Sequence, residues 1–314
     1  KMKNCGICGS DIHYYLFGEN GGRKITEPLM LGHEFVGEII ELGSKVSKFK
    51  VGERIIVNPA LTCGECQFCR LKKFNLCENV SFFGSAATLP HTQGAFRENI
   101  EIHESQCYKI IDSVTFEEAA FAEPLAVSLH ACSFVKDYKN KKILISGCGP
   151  IGLLVLKILL KDFENKNIFV VDVNNHVLEG ARKLGNLNTF NVKDSNNFIK
   201  EFKNYFDIAF ESSGNIHSIN NIITTINKGG SVIQIGNMPG GLLKIEYNKI
   251  MLKELRFFGS YRFDVEFKEA VNSINNKLFS FQDMLTHSFK LNECEQAMRI
   301  ASDKDVSIKV QVYN

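Results

Sequence analysis

The fold is indicated most directly by the stretch KILISGCGPIG at residues 142–152. Its first five residues contain the apolar run Ile143, Leu144 and Ile145 and are typical of a short buried strand. Three glycines follow in the pattern G-x-G-x-x-G, and a helix-forming apolar run comes next. Glycines between a strand and a helix allow a tight turn and let a pyrophosphate approach the helix N-terminus, where backbone N–H groups favour an anion. The stretch therefore predicts a dinucleotide site lined by Gly147, Gly149, Pro150, Ile151 and Gly152.

The chain around this loop alternates between strands and helices. Strands are predicted over 167–172, 207–211, 231–236 and 255–259, with helix-like segments before and between them. Such alternation produces right-handed βαβ units and a doubly wound parallel sheet of the Rossmann type. We also expect Gly236, at the end of one of these strands, to bind the cofactor.

The residue at the end of the next predicted strand indicates whether the dinucleotide is NAD or NADP. Asp172 lies there, twenty residues after Gly152. An acidic group at this point accepts the hydroxyls of the adenosine ribose and repels a 2′-phosphate. Residues 173–177 contain no arginine or lysine that could bind that phosphate. The sequence therefore favours NAD over NADP.

The N-terminal part of the chain has a different composition, which is rich in glycine, cysteine and histidine. Short alternating runs such as 35–40 and 54–57 predict a β-rich domain. We expect this domain to comprise residues 1–124 and 263–314, and the nucleotide domain to comprise 125–262. The first residues read like the middle of a strand, so a preceding part of the first domain is expected to be missing.

Composition excludes several classes of protein. The 314 residues carry a formal net charge of +2 without a basic block, which argues against nucleic acid as a partner. The longest apolar stretch, 151–160, is too short to span a bilayer. Ten cysteines, clustered at short spacings and without a signal peptide, fit metal ligands in a reducing compartment better than disulfides. A cytoplasmic protein with no membrane partner is expected.

Four of the cysteines have the spacing of a metal site. They are Cys63, Cys66, Cys69 and Cys77, with two residues between each of the first three. Four soft donors close all positions of a tetrahedral ion, which is typical of a structural zinc. An iron–sulfur cluster is the chemical alternative, because thiolates at such spacings also hold one.

A second group of donors has the composition of an open site. Cys8 and the pair His33 and Glu34 offer sulfur, nitrogen and oxygen. Mixed donors with fewer than four fixed ligands characterise a catalytic zinc, which keeps a position for water or substrate. The sequence thus predicts two zinc ions per chain, one structural and one catalytic.

The order and spacing of these features resemble the zinc-containing medium-chain dehydrogenase family. The segment GHEFVG at 32–37, the four cysteines and the glycine loop follow one another as in that family. The resemblance covers essentially the whole chain and implies an α/β fold, a GroES-like β-rich catalytic domain plus a Rossmann domain. It also implies that Cys8, His33 and Glu34 ligate the catalytic zinc. Glu123 replaces the cysteine of simple alcohol dehydrogenases, as in the sorbitol dehydrogenase group, where it holds a zinc-bound water or lies near the substrate.

The same resemblance implies further roles. Ser10 and His13 match the family's proton relay, in which a hydroxyl accepts the alcohol proton and a surface imidazole passes it to water. Tyr14 is expected to line the pocket. His91 and Arg262 are expected to contact the substrate. A guanidinium could form two parallel hydrogen bonds with a carboxylate, but a matching arginine also occurs in polyol dehydrogenases, so Arg262 does not distinguish an acid from a neutral polyol.

Within the group, the segments 82–96 and 259–263 resemble the branch that interconverts L-idonate and 5-keto-D-gluconate. A sugar acid is therefore the expected substrate. L-iditol or sorbitol is the first alternative and threonine the second, while a non-catalytic NAD-binding relative is the alternative from another class. A homodimer or homotetramer is expected from the family.

Overall fold

A computed structural model of the protein describes residues 1–161, 163, 165–193 and 196–314. Its strands are β1 (Met2–Gly6), β2 (Glu19–Asn20), β3 (Arg23–Lys24), β4 (Glu34–Glu38), β5 (Arg54–Val57), β6 (Ala60–Leu61), β7 (Ser81–Phe82), β8 (Cys107–Lys109), β9 (Ile143–Ser146), β10 (Ile168–Asp172), β11 (Asn188–Asn191), β12 (Phe206–Glu211), β13 (Ile226–Gln234), β14 (Arg256–Gly259), β15 (Leu285–Lys290) and β16 (Lys309–Tyr313).

The α-helices are α1 (Gly9–Phe17), α2 (Gln67–Arg70), α3 (Phe116–Ala119), α4 (Ala122–Ser133), α5 (Pro150–Leu160), α6 (Asn175–Lys183), α7 (Asn196–Glu201), α8 (Ile216–Thr225), α9 (Tyr247–Leu252), α10 (Glu266–Asn275) and α11 (Cys294–Ser302). Among the residues described, no helix is both long and apolar enough to cross a bilayer.

The chain divides into two compact units. The first unit comprises residues 1–126, 262–303 and 309–314, and the second comprises 127–261 and 304–308.

The second unit contains the predicted parallel sheet. Its six strands run in the order β11-β10-β9-β12-β13-β14, and all neighbours pair in parallel. β9 is the first strand of this sheet in chain order. β10 and β11 follow on one side of it, and the chain then crosses to the other side of β9, where β12 lies. The carboxyl ends of β9 and β12 therefore flank the point at which the winding reverses, where ligands bind in such sheets.

Buried apolar residues explain why the second unit folds in this way. All four residues of β9 are buried, as expected for a strand that is covered on both faces. Phenylalanines fill one side of the sheet, and the rings of Phe169 and Phe206 meet edge to face with centroids 5.2 Å apart. The edge strand β11 was not predicted, because its Asn-Thr-Phe-Asn sequence is polar and only partly buried.

The first unit is organised around a mixed sheet with the order β15-β16-β1-β4-β5-β8. β1 lies between β4 and β16 and pairs antiparallel with both. Asn4 Nδ2 donates to Gln311 Oε1 at 3.1 Å across this pairing. The sheet therefore brings the start and the end of the chain together, and residues that follow β1 lie beside the first residues of β16.

Helix α1 follows β1 directly and sets the position of the first metal-site residues. Cys8 is its N-cap, and Asp11 at the third helical position accepts from the backbone N–H of Cys8 at 3.0 Å. The helix ends at Gly18, which adopts the left-handed conformation that glycine favours at this position.

Candidate metal centre and cofactor site

The four spaced cysteines meet at one point of the first unit. One ligand atom of each of Cys63, Cys66, Cys69 and Cys77 lies within 4.8 Å of the others. Backbone N–H groups point at the sulfurs: Cys66 N donates to Cys63 Sγ at 3.4 Å, and Cys69 N donates to Cys66 Sγ at 3.5 Å. Such bonds favour the thiolate, and those from Glu78 and Cys69 lower the pKa of Cys66. Four converging sulfurs fit a structural zinc.

The mixed donors also meet, at a separate site of the first unit. Cys8 precedes α1, and His33 and Glu34 lie where β4 begins. One ligand atom of each residue lies within 4.8 Å of the others. His33 and Glu34 are buried, and Cys8 is partly exposed. The set of one sulfur, one nitrogen and one oxygen fits a zinc with an open position.

A buried carboxylate joins the two segments that carry these donors. Asp11 is fully buried, and its oxygens accept from the backbone N–H groups of Cys8 at 3.0 Å and Gly32 at 3.1 Å. Oδ1 also lies 3.6 Å from His33 Nδ1. Burial would raise the pKa of Asp11, but His33 and the N–H donors lower it. An ionised Asp11 favours a proton on His33 Nδ1, which leaves Nε2 to bind a metal.

Glu34, one of the three candidate ligands, also contacts a buried cation. Lys309 Nζ forms an ion pair with Glu34 Oε2 and donates to Ile7 O at 3.0 Å. Burial opposes the charge on Lys309, yet the Glu34 carboxylate raises its pKa above the usual value. The Lys309 ammonium therefore competes with a metal for the charge on Glu34.

The ion pair requires a glycine beside it. A Cβ added to Gly6 would lie 2.0 Å from Glu34 Oε2 and 3.0 Å from Lys309 Cε. The carboxylate thus occupies the space that any larger residue at this position of β1 would need.

A second carboxyl group and an arginine lie in the same unit. Glu123, in α4, is buried, and burial raises its pKa to about 7. The Arg262 guanidinium lies 3.9 Å above the ring of Phe82, and that ring lies 5.5 Å from the His33 ring, centroid to centroid. Arg262 has a positive φ of 56°, a conformation that costs energy for a residue other than glycine and that is common at functional sites.

The remaining candidate residues of the first unit are placed as follows. Ser10 and His13 are three residues apart in α1, and both are partly exposed. Tyr14 is buried, and its hydroxyl accepts from Ala86 N at 3.2 Å. His91 is also buried, but Thr26 N donates to its Nε2 at 3.0 Å and its Nδ1 lies 2.8 Å from Thr88 O. Because the loops use both ring nitrogens, we propose a structural role for His91 instead of the expected substrate contact.

The glycine loop of the second unit has the expected form. Gly147 has a φ of 95°, and a Cβ there would lie 2.6 Å from Ser213 N. Gly149 caps α5, and Pro150 stands in its first turn. Asp172 Oδ2 accepts from Cys148 N at 2.7 Å, so the acidic end of β10 lies against the loop. Gly236 follows β13, and its N–H donates to Glu211 O at 2.9 Å.

Two family models match the chain. Residues 1–112 match the alcohol dehydrogenase GroES-like domain, and residues 150–276 match the zinc-binding dehydrogenase family. The chain is 34% identical to L-idonate 5-dehydrogenase (NAD(P)(+)) of Escherichia coli strain K12, over 98% of this chain and 89% of that protein. The chain belongs to the zinc-dependent alcohol dehydrogenase family.

Other relatives agree with this assignment. Sorbitol dehydrogenase of Bacillus subtilis strain 168 is 32% identical over 100% of this chain and 89% of its own length. The crystal structure of the Escherichia coli L-idonate 5-dehydrogenase superposes with a TM-score of 0.92 at 33% identity, covering 100% of this chain and 90% of that one. The predicted fold, a GroES-like domain plus a Rossmann sheet, is confirmed, as are zinc and a nicotinamide cofactor.

Two members of the metal centre were not predicted from the sequence. Asp11 could have been found, since an acidic residue three positions after Cys8 is the pattern of a helix cap. Lys309 carries no such local signal, because its role depends on the pairing of β16 with β1.

Substitution of one ligand in each cluster should show that the two clusters bind different zinc ions with different roles. We expect the purified chain to contain about two zinc ions and the Cys8→Ala variant about one, because Cys8 is one of only three candidate protein ligands of the open site. Cys8→Ala should lose turnover but keep its NADH affinity. Elemental analysis and fluorescence titration measure both quantities, and an unchanged zinc content in Cys8→Ala would contradict the assignment.

Cys66→Ala should instead lower the unfolding temperature, by roughly 10 °C, because a structural zinc contributes directly to folding. Cys107→Ala is the matched control, since Cys107 is a partly buried cysteine outside both clusters. A loss of stability equal in the two variants would show that the four-cysteine cluster has no special role.

Gly6→Ala should disturb the catalytic centre through Glu34. The added methyl group displaces the carboxylate from Lys309, and breaking a buried ion pair costs about 3 kcal/mol. Because the same methyl group moves a candidate ligand away from Cys8 and His33, urea unfolding and zinc analysis should show both lower stability and loss of one metal. Gly9→Ala is the control, because a Cβ there meets nothing within 4 Å. Equal behaviour of the two variants would overturn the argument.

Proposed function

We propose that the protein oxidises a secondary alcohol of a sugar acid with NAD, and that L-idonate, converted to 5-keto-D-gluconate, is the substrate. The observation that carries this proposal is the convergence of Cys8, His33 and Glu34 in one cluster. The Arg262 guanidinium lies over Phe82, whose ring lies 5.5 Å from the ring of His33. A fixed guanidinium next to a metal centre suits a substrate that has both a hydroxyl and a carboxylate, because a carboxylate accepts two parallel N–H bonds. The likeness to L-idonate 5-dehydrogenase supports the same substrate.

Glu123 supports a polyhydroxylated substrate. It is a buried carboxyl group whose pKa is affected by His33, Glu34 and Arg262 as well as by burial. A carboxyl group with a pKa of about 7 can donate or accept a hydrogen bond near neutral pH, so it can bind a further hydroxyl of the substrate chain.

In the proposed chemistry, Cys8, His33 and Glu34 hold the catalytic zinc. When bound, zinc lowers the pKa of the alcohol and NAD accepts the hydride. Ser10 takes the hydroxyl proton, and His13 passes it to water from the exposed side of α1. Cys63, Cys66, Cys69 and Cys77 hold the structural zinc.

NAD is proposed over NADP because of Asp172. Its Oδ2 accepts from Cys148 N, and its Oδ1 accepts from Asn174 N at 2.9 Å. The backbone bonds hold the carboxylate at the end of β10, where it can accept ribose hydroxyls and repel a 2′-phosphate.

A panel of substrates tests the proposal. We expect kcat/KM with NAD to be highest for L-idonate, lower for sorbitol and L-iditol, and lowest for L-threonine. NADP should be the poorer cofactor by about tenfold or more, since Asp172 repels its phosphate. A higher value for sorbitol would favour the polyol alternative. Absence of turnover in a zinc-loaded, NADH-binding preparation would favour the non-catalytic relative.

Arg262→Gln should discriminate between an acid and a neutral polyol. Loss of a charge-assisted bond to a carboxylate costs about 2–3 kcal/mol, so kcat/KM for L-idonate should fall about 50-fold. The value for sorbitol should fall much less, because sorbitol has no carboxylate. Equal losses on both substrates would contradict the proposed role of Arg262.

A further inference from the structure

A buried carboxylate stands at the reversal point of the parallel sheet. Glu211 is the last residue of β12, and none of its surface is exposed. The residues after it, 212–214, form a loop beside the glycine loop that follows β9. Glu211 belongs neither to the glycine loop nor to either metal-binding cluster.

Both oxygens of Glu211 are used to hold neighbouring chain segments. Oε1 accepts from the backbone N–H and the hydroxyl of Ser213, the former at 3.1 Å. Oε2 accepts from Gly214 N at 3.1 Å and from Gln234 Nε2 at 2.7 Å. The backbone oxygen of Glu211 accepts in addition from the N–H groups of Ile235 and Gly236, at 2.8 and 2.9 Å. One residue thus fixes the segments that follow both β12 and β13.

The segment after β12 is in turn joined to the glycine loop. Ser212 Oγ donates to Gly147 O at 2.8 Å and to Ser146 O at 3.2 Å. A Cβ at Gly236 would lie 2.2 Å from Gly214 N and 2.8 Å from Glu211 Oε2. The ends of β9, β12 and β13 are therefore packed at backbone distance, with the carboxylate between two of them.

The order of the strands determines which part of a dinucleotide would meet this region. Asp172, proposed to bind the adenosine ribose, ends β10 on one side of β9. The pyrophosphate belongs at the glycine loop after β9. A dinucleotide that crosses the reversal point must then place its other half toward β12 and β13, which lie on the opposite side of β9.

We propose that Glu211 is a positioning residue for the nicotinamide half of the cofactor. Glu211 holds residues 212–214 and Gly236 in the positions at which the nicotinamide half binds. It does not contact the adenosine half. The inference rests on the dinucleotide placement given under the proposed function.

The test compares NADH with AMP, which carries only the adenosine half. Glu211→Gln keeps the size of the side chain but turns an NH2 group toward backbone N–H donors, so at least one of the loop bonds is lost. We expect the Kd of NADH to rise about tenfold, the effect of losing one hydrogen bond to a charged group. The Kd of AMP, measured by calorimetry on the same zinc-loaded preparation, should change less than about twofold.

Two further variants make the outcome decisive. Thr225→Val removes a buried hydroxyl of the same unit, which donates to Asn221 O at 2.9 Å in α8, and should change neither Kd. Asp172→Asn should weaken both ligands, because both carry the adenosine ribose. If Asp172→Asn weakens neither, the proposed cofactor placement is wrong. If Asp172→Asn behaves as expected but Glu211→Gln weakens NADH and AMP equally, or neither, the role of Glu211 is overturned.

Discussion

The metal centre depends on one buried carboxylate, that of Asp11. Through its bonds to the backbone N–H groups of Cys8 and Gly32, it holds the loop before α1 against the loop before β4. Its Oδ1 also lies 3.6 Å from His33 Nδ1, and this contact orients the imidazole. Cys8 and the adjacent pair His33 and Glu34, which are far apart in sequence, can therefore converge before any metal arrives, which reduces the entropy that metal binding must overcome.

In the second unit, too, a buried carboxylate holds together chain segments that are distant in sequence. Glu211 accepts backbone N–H groups from the segment after β12, as Asp11 does for the metal-binding segments. A carboxylate is suited to this task because each oxygen accepts two hydrogen bonds, and bonds to a charged acceptor are stronger than those to a neutral one. In both units the residue that organises the site is buried, while the residues proposed to bind ligands extend from the segments it holds.

The sequence predicted those parts of the site that depend on local spacing. The glycine loop and the four cysteines are recognisable because the candidate residues of each lie within a short stretch of chain. The contact of Lys309 with Glu34 could not be predicted, since it arises only when β16 pairs with β1. The surroundings of His91 could not be predicted either: its position in a resembling segment favoured a substrate contact, and in the structure Thr26 N and Thr88 O lie within hydrogen-bond distance of its two ring nitrogens.

We propose that this chain builds two distinct zinc environments, of which only one is open to substrate. An anomalous difference map at the zinc edge, from crystals of the purified protein, tests it directly. We predict two peaks per chain, one at about 2.3 Å from all four sulfurs of Cys63, Cys66, Cys69 and Cys77, and one at about 2.0–2.3 Å from Cys8 Sγ and His33 Nε2. A map without a peak at Cys8 and His33, in crystals grown with zinc, would contradict the account.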